Sequence, residues 1–202
     1  TLEEVADADL ILIPGSKSTI ADLTHFRTQG WDIDLLGHVR RGGRVLGICG
    51  GYQMLGLEII DDEGLEGAPS RVNGLGLLDI ITVMKPQKRL ARSEAIYLPT
   101  GDTVSGYEIH IGETTGPDCD RAWLSLDGRD EGAASADGRV RGCYLHGLFT
   151  ADAFRAAYLA ELGTALPVTN YASGVEATLN ALADHLEMHM DIDALLALAG
   201  EV

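Results

Sequence analysis

With 202 residues, 46% of them hydrophobic, the chain is long enough to bury a sizeable core in one domain. Its 31 acidic residues against 15 basic ones give a formal net charge of −16, which opposes extended contact with nucleic acid phosphates or anionic lipid and favours a small molecule or a protein as partner. No long apolar run and no basic-then-apolar leader occurs, so no membrane span or secretory signal is expected and the expected location is cytoplasmic. Cys49, Cys119 and Cys143 are an odd number at wide spacing; they form neither a disulfide framework nor a metal-knuckle pattern and read as reduced thiols, with no metal site expected.

In chain order, Ala8 to Ile13 reads as a buried parallel strand that ought to have neighbours, so an upstream portion is expected to be missing. Pro14-Gly15-Ser16-Lys17-Ser18-Thr19 is a turn with polar caps, followed by a helical pattern to Arg27. The turn lacks phosphate-loop spacing, because Leu10 stands where a glycine is required, and nucleotide binding is rejected there. Asp32 is placed to cap a second helix with apolar positions Ile33, Leu35, Leu36 and Val39, closed by Arg40-Arg41-Gly42-Gly43.

Next comes Arg44-Val-Leu-Gly-Ile-Cys49-Gly-Gly-Tyr-Gln53, in which Gly47 and Gly51 flank Cys49 at the end of a short apolar strand. This G-x-C-x-G pattern is the thiol counterpart of a nucleophile elbow, with a helix predicted from about 50 to 57. A cysteine at a helix N-terminus is biased toward the reactive thiolate. An isolated cysteine would instead read as a small core residue; the glycines on both sides favour the elbow. From 75 to about 140 the pattern changes to short strands (77–84, 94–98, 104–111, 122–126) between Gly, Asp and Pro turns, as in antiparallel or edge structure. Val140 to Gly147 reads as a return strand ending in His146, and two or three helices close the chain. Val175, Leu179, Leu182 and Leu186 form a stripe on one of them that is expected to face the core. The β-α-α-β-elbow-α order implies an α/β fold with a mostly parallel sheet.

A nucleophilic thiol needs a proton acceptor. His146 follows an apolar strand and precedes Gly147, at the carboxyl edge of the sheet where the elbow also lies. His25 and His38 are read as solvated helix residues. His185 and His189 stand four apart, but Leu186 occupies the position where a zinc-binding helix has Glu. In Gly106-Tyr107-Glu108-Ile109-His110, alternation puts Tyr107 and Ile109 on one face and Glu108 and His110 on the other, a polar pair that could line a site; Tyr107, Glu108 and His110 are taken as possible site lining. The backbone of Pro14-Gly15-Ser16 can serve as an oxyanion hole together with the Gly50 N–H, or can be an ordinary strand-to-helix turn.

Ile13-Pro14-Gly15-Ser16-Lys17, Gly47 to Gln53, Gly106 to His110 and Tyr144 to Phe149, in that order, resemble the glutamine amidotransferase domain of cobyric acid synthase, and the resemblance covers nearly the whole chain. It implies a flavodoxin-like class-I glutamine amidotransferase fold over residues 1–202, additional antiparallel strands, and glutamine hydrolysis in which Cys49 attacks the amide and His146 shuttles protons. Gly50, Gly51 and Gln53 would then help hold L-glutamine, with Gly15 and Ser16 near the oxyanion. The domain itself would need no cofactor. Its partner would be an N-terminal ATP- and Mg-dependent synthetase domain, absent from this chain, which receives ammonia and amidates corrinoid carboxylates in cobalamin biosynthesis. Class-I amidotransferases usually carry Glu two residues after the histidine, where this chain has Leu148; the orienter of His146 is therefore open, with Glu108 a candidate by polarity. Two other readings remain at this stage: a different elbow-cysteine hydrolase on the same scaffold, and a non-catalytic binding module.

Overall fold

The computed structural model describes residues 8–164 and 169–199. Strand β1 (Leu10–Ile13) is followed by helices α1 (Thr19–Thr28) and α2 (Trp31–Arg40), strand β2 (Arg44–Ile48) and the short helix α3 (Gly50–Leu55). β1 pairs in parallel with β2, and β2 pairs in parallel on its other side with β12 (Val140–Cys143), which carries β11 (Ala133–Ala134) antiparallel at the edge. This is the mostly parallel sheet that the element order implied. β2 is nearly all apolar because both of its faces are covered: Val45 enters one hydrophobic cluster with Ile13, Leu23, Leu35 and Leu55, and Leu46 enters another with Tyr97, Leu124, Leu145 and Phe154. Truncating a fully buried leucine such as Leu46 to alanine is expected to cost about 2–5 kcal/mol.

Two further sheets account for the change in pattern after the elbow. One has the order β4 (Ser70–Asn73), β3 (Glu58–Asp61), β5 (Ile81–Val83), β8 (Glu113–Thr115). The other has the order β10 (Arg129–Glu131), β9 (Leu124–Leu126), β6 (Arg89–Tyr97), β7 (Asp102–His110), β13 (Leu145–His146), and is antiparallel throughout. The return strand is therefore broken at Tyr144, leaving Cys143 in the parallel sheet and His146 in the antiparallel one. Element limits also differ from expectation: the segment before Ile81 is turn rather than strand, β6 begins at Arg89, and α3 stops at Leu55.

Three expectations are corrected. α2 starts from Gly30, whose left-handed φ of 74° suits glycine; Asp32 lies inside the first turn, where it favours the helix dipole but caps nothing. His38 is buried rather than solvated, with Nε2 2.9 Å from the Arg44 carbonyl oxygen. A Cβ on Gly43 would lie 2.2 Å from the His38 ring, so the glycine stop of α2 is also what lets this ring in. After α4 (Asp152–Glu161), whose Phe154 and Tyr158 are in the core, comes α5 (Tyr171–His189) with no buried residue at all. Its Val175, Leu179, Leu182 and Leu186 are each 38–52% exposed, so the stripe is real as a periodicity but faces no core. His185 and His189 are ring neighbours on this helix, 4.4 Å apart. The chain ends its described part with α6 (Ile192–Ala199), also without a buried residue.

Candidate active site

The strand-to-helix junction at Cys49 is strained as an elbow should be. Cys49 has φ 53° and ψ −111°, and with Asp127 it is one of two non-glycine residues at positive φ among the described residues. Such a conformation costs about 1–3 kcal/mol and persists where the surroundings over-determine it. Here the Cys49 N–H donates to the Cys143 carbonyl at 2.9 Å, and the Cys49 carbonyl accepts from the Gln53 N–H at 3.1 Å. The flanking glycines have a steric cause: a Cβ on Gly47 would stand 2.7 Å from the Gly51 carbonyl oxygen, and one on Gly51 only 2.1 Å from that of Ile13.

The Pro14-Gly15-Ser16 turn closes on the elbow from the β1 side. A Cβ on Gly50 would lie 2.8 Å from Ser16 N, and one on Gly15 would meet both Cys49 Cβ at 3.5 Å and His146 Cε1 at 3.1 Å. Gly15 thus lies against both the thiol-bearing residue and the histidine, with too little room for a side chain unless the imidazole shifts. The Ser16 hydroxyl is turned away to the Asp22 carboxylate at 2.5 Å, leaving the backbone of the turn as its contribution to the site.

His146 pairs in register with Tyr107 across β13 and β7, and the two rings stack 4.9 Å apart within 4° of parallel. Its Nε2 is buried and has no hydrogen-bond partner among the described residues. Burial alone pushes the imidazole below its ordinary value, so it is neutral at pH 7 and able to accept a proton. The Cys49 sulfur is not hydrogen-bonded to it; Sγ donates instead to the Ile109 carbonyl at 3.4 Å. Burial also raises the Cys49 thiol; the Gly50 N–H acts in the opposite direction and the Glu66 carboxylate adds to the rise. The expected bias toward a standing thiolate is therefore corrected. The site pairs a thiol with a neutral imidazole, the arrangement in which a base activates the nucleophile at the moment of attack.

Cys49 and His146 line one cavity of about 460 Å³ with Gly15, Ser16, Lys17, Thr19, Gln53, Glu66, Lys88, Ile109, His110 and Ile111. Gln53 borders it, but its amide is fully engaged by protein: Nε2 donates to the Ile111 carbonyl at 3.0 Å and to Tyr144 Oη at 3.1 Å, and Oε1 accepts from Thr19 Oγ1 at 3.1 Å. It ties the β1, elbow and β7 sides of the cavity together. Neither Gly50 nor Gly51, the glycines expected to help hold substrate, lines the cavity: Gly50 packs on Ser16 and Thr19, and Gly51 on the Ile13 and Pro14 backbone.

Of the polar pair on β7, only His110 reaches the cavity lined by Cys49 and His146, and Glu108 is not the orienter of His146. The Glu108 carboxylate is buried in an ion network, 2.5 Å from Arg89 Nε and 2.6 Å from Arg129 Nη2, while Arg129 also holds Glu131 at 2.9 Å. Burial pushes the Glu108 carboxyl up, but the two guanidinium groups outweigh it and hold it below its ordinary value. Glu131 accepts from the Tyr144 N–H at 2.7 Å, which anchors the break in the return strand. Glu108 and His110 line a neighbouring cavity of about 920 Å³, and His110 stacks on Tyr144 with ring centroids 3.7 Å apart. What fixes the His146 ring is Tyr107, from the face that alternation had assigned to the opposite side.

A family model described as the CobB/CobQ-like glutamine amidotransferase domain matches residues 1–154. The chain belongs to this family. The cobyric acid synthase of Ruegeria sp. (strain TM1040) is 65% identical to the amidotransferase chain over 193 residues, and that of Cereibacter sphaeroides (strain ATCC 17025 / ATH 2.4.3) is 59% identical over 194. Each match covers 96% of this chain, and the chain spans 40% of the length of these curated relatives. A solved structure described as a glutamine amidotransferase shares the fold, with a TM-score of 0.57 and 20% identity over 80% of this chain and 82% of that one.

Sequence reasoning did not single out Thr19, Glu66, Lys88, Ile109, Ile111 or Tyr144 as parts of the cavity lined by Cys49 and His146 and its supporting contacts. Ile109 and Ile111 enter through their backbone carbonyls, which no side-chain signal reports. Glu66 sits in Gly64-Leu65-Glu66-Gly67, a turn whose only hint is a lone acid between glycines.

Proposed function

We propose that this chain is the glutaminase part of a cobyric acid synthase, hydrolysing L-glutamine to supply ammonia for ATP-dependent amidation of corrinoid carboxylates. Residues 1–202 form its amidotransferase domain, and the synthetase domain with its ATP and Mg is N-terminal to it in the whole enzyme. The observation that carries the reading is the placement of the strained Cys49 and of a His146 nitrogen without a partner among the described residues on one cavity, both close against Gly15.

His146 Nε2 takes the thiol proton as Cys49 Sγ attacks the side-chain amide carbon, and the developing oxyanion is met by the Gly50 N–H and the Gly15-Ser16 backbone. One such donor is worth about 3 kcal/mol in other enzymes. The imidazolium then protonates the leaving nitrogen and ammonia departs, leaving a glutamyl thioester. Water, deprotonated by His146, hydrolyses the thioester to glutamate and restores the thiol. Tyr107 positions the imidazole by stacking. The three free thiols accord with a reducing, cytoplasmic location.

The test is intact mass after incubation with 6-diazo-5-oxo-norleucine, compared between this chain and Cys49→Ser. A single adduct that requires Cys49 is expected, together with loss of glutaminase activity in Cys49→Ala and His146→Ala. No adduct on this chain or on the full-length enzyme, or normal turnover by either variant, refutes the assignment.

A further inference from the structure

Beyond the reacting groups, the catalytic cavity is bordered by three charged side chains, Lys17, Glu66 and Lys88, and none of them forms a salt bridge among the described residues. Glu66 is held in place by a purpose-shaped turn. The carboxylate of Asp61, which is 1% exposed, accepts from the Leu65 and Glu66 N–H groups at 2.8 and 2.9 Å. Glu66 Oε2 in turn accepts from the Ile20 N–H at 2.9 Å, fixing the carboxylate against the first turn of α1. Lys88, an exposed residue that also borders the neighbouring cavity of about 920 Å³, directly precedes β6, whose Arg89 pairs in register with His110 of β7. The cavity is therefore bordered by an acid fixed against α1 and by a lysine just before β6, neither in a salt bridge among the described residues. At about 460 Å³ it is also far larger than a carboxamide needs.

We infer that Glu66 and Lys88 recognise the α-ammonium and the α-carboxylate of the substrate, so that the site accepts a free zwitterionic amino acid and discriminates against amides lacking either charge. The inference rests on the glutaminase reading and adds its specificity determinants. Lys17 shares the α1 side with Glu66 and is not assigned the carboxylate.

The experiment measures kcat and KM of the full-length enzyme on glutamine, on 4-carbamoylbutanoate, which lacks the α-amino group, and on 4-aminobutanamide, which lacks the α-carboxylate. The unaltered enzyme is expected to prefer glutamine by about 10- to 100-fold in kcat/KM over each analogue, the range of one charged hydrogen bond. Glu66→Ala should bring glutamine down to the level of 4-carbamoylbutanoate, mainly through KM, and Glu66→Asp should restore part of the preference. Lys88→Ala should do the same for glutamine against 4-aminobutanamide. A purely structural role of Glu66 at Ile20 would lower all substrates together and leave the ratios unchanged, which overturns the inference while glutaminase activity persists. Collapse of the carboxylate preference in Lys17→Ala instead of Lys88→Ala overturns the Lys88 assignment. Absence of glutamine hydrolysis in the unaltered full-length enzyme removes the glutaminase reading and the inference with it.

Discussion

Gly15→Ala separates the chemistry of the site from the stability of the fold. Gly15 does not have a left-handed φ, so alanine fits the backbone, but its methyl group would lie 3.1 Å from His146 Cε1 and 3.5 Å from Cys49 Cβ. Ordinary carbon contacts are about 3.5–4.0 Å, so the imidazole must retreat by roughly half an ångström from its stacked position on Tyr107. A misplacement of about 1 Å can cost roughly 100-fold in rate, and half of that, at the carbon next to the working nitrogen, is expected to lower kcat by about 10-fold or more. The crowding costs about 1–3 kcal/mol at most, and the reduced entropy of the unfolded chain returns about 0.4–1 kcal/mol, so the melting temperature should move only slightly. Gly51→Ala is the contrast: its methyl would stand 2.1 Å from a backbone oxygen, which cannot step aside, and the protein should lose about 3 kcal/mol or more or fail to fold. The pair is checked by glutaminase kcat alongside thermal unfolding. A Gly15→Ala protein as active as the unaltered one refutes the placement of His146 and Cys49 around this glycine.

Other outcomes follow from the same geometry. Because burial lowers the His146 imidazole below its ordinary 6.5, the acidic limb of kcat/KM should fall below pH 6.5, and Tyr107→Ala, by exposing the ring, should move it upward. Iodoacetamide should label Cys49 with a midpoint above the usual thiol value of 9.0, and Glu66→Gln, by removing a negative charge, should shift that midpoint down in a labelling-rate profile. The depressed carboxyl of Glu108 stabilises the fold above its ordinary 4.5 and loses that contribution as pH falls through its lower folded value. Glu108→Gln should therefore flatten the acid limb of a stability curve; it should cost only about 1–2 kcal/mol at pH 7, since Arg89 and Arg129 are half-exposed and can rehydrate. Leu182→Gln on α5 should change stability by no more than about 0.5 kcal/mol in thermal unfolding of this chain, and a loss near 3 kcal/mol would restore the core-facing stripe that the exposure denies.

The elbow, the order of the parallel elements and the return strand to His146 were legible in the sequence because their signals are local: apolar runs, glycine spacing, a histidine at a strand end. What stayed hidden depends on what lies across from a residue. Alternation on β7 put Tyr107 and Glu108 on opposite faces, but which face meets His146 is set by the register of β13, and that register follows from the break at Tyr144. The polar neighbours of His38 gave no sign that Gly43 leaves room for its ring. The period of α5 reports an apolar face correctly and is silent on whether anything covers it.

The break at Tyr144 has a mechanical consequence. Cys49 rides at the tip of a strand in the parallel sheet, whereas His146 belongs to the antiparallel one, and the chain passes from the first to the second through a single residue. The gap between sulfur and imidazole thus depends on how two sheets lie on each other across the Cys143–His146 stretch, whose Cys143 carbonyl accepts from the Cys49 N–H. A slide of one sheet across the other by less than a bond length would detune the pair while leaving each sheet internally intact. The clamps on Tyr144, from Glu131 at its N–H and from Gln53 and Thr114 at its hydroxyl, act as the brake on that slide.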